Sequence, residues 1–309
     1  MRRSSTMDED KFRRIQAVGR AEAEFRGIRI DLADQRKLAS VGLEMLFTSL
    51  HSPVGEPRPG MIVSEPTGAG KSAAANRLVA MAKQTAGTPP DKGAARRITL
   101  DTLGTVKSVW SSILEGLGDP NYDKGNETLQ RKRVKKALDR EGVHVLILDE
   151  FNHVADSSQG KRGANAIKNL LSDGWVSIIV MGTSEELDHM VDNDAFDRRM
   201  IKSPGLPART WKEDFESWTK FLGELDEAIV ARRILTGRAG LDGEAVAREL
   251  CSVCCGMVGD AHWIVLESLK DAVRHDLPSM TLRDLAANGD ALMRKRKRGG
   301  TNGLWALLS

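Results

Sequence analysis

The sequence predicts an α/β protein: a central parallel sheet with helices on both faces, followed by a smaller helical domain. Three observations carry this. Short apolar runs at Met61–Val63, Arg97–Leu100, Val143–Leu148 and Val176–Met181 alternate with stretches of helical periodicity, the pattern of strand–helix units with buried strands. After Pro204 and Pro207 the strand-like runs stop and only helical patterns remain. A chain of 309 residues accommodates about two compact units.

Taken in order, Phe25–Ile30 and Gln35–Leu50 carry apolar residues at helical spacing. The breaker cluster His51-Ser-Pro-Val-Gly-Glu-Pro-Arg-Pro-Gly60 ends this leader. Met61–Val63 is the first strand, Ser72–Gln84 the helix after it, and Arg97–Leu100 the second strand. Val106–Leu117 is helical, Asp119–Asn126 is a polar loop, and Glu127–Arg140 is a basic helix. Val143–Leu148 and Val176–Met181 are near-continuous apolar strands separated by the helix Ala164–Leu171. Trp218–Leu235, Gly243–Cys255 and Ala261–Val273 are the helices of the second domain. The expected boundaries are a helical leader over 1–56, an α/β core over 57–210, a helical domain over 211–290 and a basic tail over 291–309.

Composition narrows the function classes. Apolar residues make up 40% and charged residues 29%, an ordinary globular balance. Lysine and arginine exceed aspartate and glutamate by 46 to 43, so any nucleic-acid surface must be local. No apolar run approaches the roughly 18 residues of a membrane span, so no membrane partner is expected. The opening MRRSSTMDED has no apolar stretch behind its charges, which argues against a secretory signal. The three cysteines all fall within Cys251–Cys255, which is no disulfide framework and suits a reducing, cytoplasmic compartment. With His262 they offer zinc-ligand chemistry, but adjacent Cys254 and Cys255 in an apolar helix read as core residues.

The strongest motif is Ser64-Glu-Pro-Thr-Gly-Ala-Gly-Lys-Ser72, placed after a strand and at the start of a helix. Gly68 and Gly70 let the backbone turn tightly, so that loop N–H groups and the helix N-terminus face phosphate oxygens. Lys71 would bridge the terminal phosphates and the Ser72 hydroxyl would ligate Mg²⁺. The expected binding set is Glu65, Pro66, Thr67, Gly68, Ala69, Gly70, Lys71 and Ser72, with ATP and Mg²⁺ as cofactors. Glu65 stands where such loops carry their first glycine, so its carboxylate must point away from the phosphates.

Downstream, Val145-Leu-Ile-Leu-Asp149-Glu150 is an apolar strand ending in two carboxylates. Asp149 is expected to hold Mg²⁺ through water, and Glu150 to orient or deprotonate the attacking water. The adjacent second acid argues against a kinase, in which a water-activating base would waste ATP. Thr183, after the strand Val176–Met181, is placed to touch the attacking water or the terminal phosphate. Arg198 or Arg199, after a short helix, is expected to reach a neighbouring subunit's nucleotide and stabilise transition-state charge.

Together these motifs resemble those of AAA+ ATPases. More narrowly, Leu148-Asp-Glu-Phe-Asn-His-Val154, Asn165-Ala-Ile-Lys-Asn-Leu-Leu171, Val180-Met-Gly-Thr-Ser-Glu-Glu186 and Asp194-Ala-Phe-Asp-Arg-Arg199 resemble the TniB/TnsC transposition ATPases. The resemblance implies a AAA+ core with a small helical lid. It also implies an ATP-dependent regulator that forms a homo-oligomeric ring or helical filament on double-stranded DNA. Such a regulator marks the target, works with a target-selector protein, recruits the transposase and is disassembled by hydrolysis. It further points to DNA contacts from the segment after the second strand, here Lys107, with the 119–128 loop beside it. The basic helix adds Arg131 and Lys132, and the run Arg294–Arg298 could bind phosphates nonspecifically. Lids of this class often carry an arginine where this chain has His262. Two alternatives stand beside this reading: another AAA+ ATPase such as a replication initiator or loader, and a nucleotide-gated signalling scaffold that never meets DNA.

Overall fold

The computed structural model describes residues 3–85, 94–101, 105–152, 160–183, 187 and 200–308. The chain divides into two compact units, one of residues 33–207 and one joining residues 1–32 to 208–309. The leader drawn at 1–56 is therefore shared between the two units at Leu32.

Helix α1 (Arg3–Arg26) belongs to the second unit, and α2 (Ala33–His51) opens the first. Strand β1 (Gly60–Ser64) then leads into α3 (Lys71–Thr85), β2 (Ala95–Thr99), α4 (Val106–Gly116) and α5 (Glu127–Glu141). Strand β3 (Val145–Asp149), α6 (Gly160–Ser172), β4 (Ser177–Gly182) and the short β5 (Met200–Lys202) complete the unit. The five strands form one parallel sheet in the order β2-β3-β4-β1-β5. The expected α/β class is therefore observed, with β4 inserted between the phosphate-loop strand β1 and the acidic strand β3. In the register, Ser64 lies beside Gly182 and Thr99 beside Asp149. The loops after β1, β3 and β4 thus leave the same edge of the sheet, where open α/β sheets bind ligands.

Local chemistry fixes the helices around this sheet. Thr105 and Ser108 form a reciprocal capping box at the start of α4. Asn126 caps α5, and Gly142, at φ 65°, ends it in the left-handed conformation. Ile98, Leu146, Leu148, Ile178 and Val180 are buried against Ile113, Val134, Leu138, Ile167 and Leu170. β3 and β4 are buried at every position, which explains their unbroken apolar sequence. β5 has only three residues, too few to leave a periodic signal.

The second unit is helical. It contains α1, α7 (Trp211–Ala231), α8 (Glu244–Cys254), α9 (Val258–Arg274), α10 (Leu282–Lys295) and a 3-10 helix, Gly303–Leu308. Trp218 is fully buried, and its indole N–H donates to the Ala247 carbonyl at 2.9 Å. Three expectations need correction here. The helix expected at Phe25–Ile30 lies upstream over Arg3–Arg26, because its charged, helix-favouring residues need no apolar stripe until Ala21 and Phe25 are buried. α7 begins at Trp211 rather than Trp218, because the Thr210 hydroxyl accepts from the Glu213 N–H. α10 is an additional helix beyond the three expected ones, started by a capping box of Thr281 and Asp284. Among the described residues, no single helix is long and apolar enough to cross a membrane.

Candidate active site

The loop from Glu65 to Gly70 connects β1 to α3. Gly68 at φ 93° and Gly70 at φ 98° take backbone conformations that side chains disfavour, as the sequence required. The Ala69 N–H donates to the Pro66 carbonyl at 3.2 Å, which closes the turn, and Gly70 O accepts from Ala74 as α3 starts. Lys71 Nζ folds back over the loop, donating to the Glu65 carbonyl at 2.5 Å and the Pro66 carbonyl at 3.1 Å. Its ammonium thus rests on the loop's own oxygens, which a bound anion would replace.

Glu65 points away from this cradle. Its Oε1 accepts the Leu206 backbone N–H at 2.9 Å, next to Gly205 at φ 79°. Its own N–H donates to Gly182 O at 3.1 Å, tying the loop to the end of β4.

β3 delivers Asp149 to the same place. The carboxylate is 2% exposed, and its Oδ2 accepts from Ser72 Oγ at 2.9 Å. This bond leaves oxygen lone pairs on the serine hydroxyl, which is the donor set a hard cation needs. Oδ1 accepts the Glu150 N–H at 3.0 Å. Glu150 takes φ 59°, rare for a side-chain-bearing residue, and its side chain is exposed. Thr183, half-buried, follows the last residue of β4. Phosphate loop, buried acid, exposed acid and hydroxyl therefore meet at one sheet edge, and the residues fit a magnesium–nucleotide pair.

Residues 32–211 match the family model for the bacterial TniB protein. The chain belongs to the TniB family. Its fold is that of AAA+ P-loop ATPases. It is similar to the Aeropyrum pernix ORC1 protein in complex with DNA, with a TM-score of 0.62 and 17% identity over 87% of this chain and 68% of that one. It is also similar to the Aeropyrum pernix ORC2 protein in ADPNP–ADP complexes, with a TM-score of 0.61 and 14% identity over 86% of this chain and 68% of that one. Drosophila ORC bound to DNA gives a TM-score of 0.52 and 13% identity over 92% of this chain and 66% of that one. No curated protein matches.

Other residues singled out in this TniB-family chain are placed unevenly. Arg198 and Arg199 lie outside the described residues. Lys107 is exposed in the first turn of α4, and Lys132 is exposed on α5. Arg131 is half-buried, ion-paired with Asp173 and stacked 5.3 Å from the Trp175 ring centre. The Arg294–Arg298 run is partly committed to structure: Arg296 and Arg298 pair with buried Asp260 at 2.6 Å and 2.7 Å. His262 packs on Phe25 with ring centres 4.4 Å apart, and burial, with the Arg26 and Arg29 charges, pushes its pKa down to about 4. Cys251 and Cys254 are buried, and burial raises the Cys254 thiol well above its ordinary value. Among the described residues, no cluster of three metal-binding side chains exists.

Sequence reasoning missed Arg97. Its guanidinium grips Asp149 Oδ2 through Nη2 at 2.6 Å and Nε at 3.0 Å, while Nη1 donates to Asn76 Oδ1 at 3.0 Å. No local signal pointed to it, because Arg97 meets Asp149 through the pairing of β2 with β3.

Proposed function

We propose that this TniB-family protein is a Mg²⁺-dependent ATPase that assembles on double-stranded DNA and regulates transposition. The observation that carries the reading is the Ser72–Asp149 hydrogen bond, which couples the phosphate loop to the acidic strand in a chain of this family. Lys71 exchanges the Glu65 and Pro66 carbonyls for phosphate oxygens, and the loop N–H groups hold the rest of the chain of phosphates. Ser72 and Asp149 would hold the metal, which when bound would offset phosphate charge. Glu150 takes the proton from the attacking water, and Thr183 orients that water. Arg198 or Arg199 completes the site of an adjoining protomer.

The ATP-bound protein forms a ring or helical filament along the duplex, with Lys107 and Lys132 facing its phosphates. This state marks the target, answers to a target-selector protein and recruits the transposase in the cytoplasm; hydrolysis returns free protomers.

The test uses electron micrographs and ATP turnover on duplex DNA. The parent should assemble only with ATP. Lys71→Ala should neither bind nucleotide nor assemble. Glu150→Gln should assemble and stay assembled, with turnover reduced by about 100-fold or more. Equal turnover in Glu150→Gln and the parent would remove Glu150 from its role, and free protomers throughout would sink the assembly reading.

A further inference from the structure

The buried Asp149 carboxylate has a cation already beside it. Oδ2 receives three donors, Ser72 Oγ, Arg97 Nε and Arg97 Nη2, whereas Oδ1 receives the Glu150 N–H. Arg97 arrives from β2, whose Thr99 is in register with Asp149, so Arg97 shares the carboxylate's face of the sheet two residues upstream. Asn76, one helical turn beyond Ser72 on α3, takes the outer guanidinium nitrogen.

A carboxylate 2% exposed is largely cut off from water and calls for a counter-charge beside it. Arg97 supplies that charge within the protein, and a guanidinium does not lose its proton. A dication held by Ser72 and Asp149 would arrive where this positive charge already sits, and like charges at such range repel. We infer that Arg97 is a positioning residue and internal counter-ion of the nucleotide site, which neutralises Asp149 in the metal-free protein and sets how much Mg²⁺ is needed to bind nucleotide. The inference rests on the nucleotide reading above and deepens it.

Two features set the direction of the effect. Ser72 Oγ and the Glu150 N–H each hold one oxygen of Asp149, so the carboxylate keeps its orientation without Arg97. Removing the guanidinium therefore frees negative charge for the metal rather than disordering its ligand. Asn76, exposed at the outer side, offers the guanidinium an acceptor away from the carboxylate.

The experiment titrates Mg²⁺ against binding of a fluorescent ADP analogue to the full chain, with circular dichroism to confirm folding. Arg97→Gln should bind at a magnesium midpoint about fivefold or more below the parent's, because a neutral amide neither repels the dication nor competes with it. Arg97→Lys keeps the charge, and its midpoint should stay within about twofold of the parent's. A folded Arg97→Gln with an unchanged or raised midpoint overturns the inference. So does an Arg97→Lys midpoint that falls fivefold, which would assign the effect to the guanidinium's shape. If Arg97→Gln does not fold, the Arg97→Lys arm decides alone. Failure of the parent to bind the analogue at any magnesium concentration would instead overturn the nucleotide reading, and this inference with it.

Discussion

Glu65 stands where phosphate loops usually carry glycine, and its geometry explains how the loop tolerates it. A carboxylate aimed into the cradle would repel phosphate; this one accepts the Leu206 N–H at 2.9 Å and so is drawn out of the loop. The sequence required that direction but could not name the partner, because Leu206 lies far along the chain. His262 is the reverse case. It stands where such lids often carry an arginine, and burial against Phe25 keeps it neutral at physiological pH. A histidine with its folded pKa depressed is fully stabilising above its ordinary value of 6.5, and that contribution is lost as pH falls toward about 4. The loss over that window is on the order of 3 kcal/mol. Thermal denaturation between pH 7 and pH 4 should therefore fall more steeply for the parent than for His262→Gln, and parallel curves would refute the assignment.

At the scale of elements, what was legible depended on how local the signal was. β3 and β4 were readable because full burial forces apolar runs, β1 because its central Met61-Ile-Val63 is apolar, and the β1–α3 loop because positive φ selects glycine. β5 was not, since three residues pairing with β1 carry no period. Nor was the Arg97–Asp149 pair, because strand order and register bring those residues together. The tail departs from its sequence pattern for a similar reason. Five cations in a row suggest a solvated basic surface, yet the Arg296 and Arg298 guanidiniums close on Asp260, and Arg298 also donates to the Val253 carbonyl at 2.9 Å. These bonds clasp the end of α10 to α8 and α9. Asp260→Ala should lower stability by about 3 kcal/mol, because it leaves two part-buried guanidiniums without their counter-charge. Denaturant unfolding would show it, and an unchanged midpoint would mean the clasp contributes nothing.

Over the whole molecule, net charge is a poor guide to how the protein meets a polyanion. The excess is only +3, and several conspicuous cations are neutralised internally: Arg131 by Asp173, Arg133 by Asp119, and Arg296 and Arg298 by Asp260. Lys107 and Lys132 are exposed, and on the proposed reading they meet the phosphates of a duplex. Duplex affinity should fall steeply with salt and vary little with sequence. Lys107→Ala and Lys132→Ala should each flatten the log–log salt slope by about 1, the share of one neutralised phosphate. Unchanged slopes in both variants would move the DNA surface elsewhere.

The pairing of α1 with the C-terminal helices has a consequence for biosynthesis. Phe25 leaves the ribosome well before its partner His262. At roughly 5–20 residues per second, α1 waits on the order of 10–50 s for that partner. Residues 33–207 can fold during this interval, while the apolar end of α1 stays uncovered and open to chaperones.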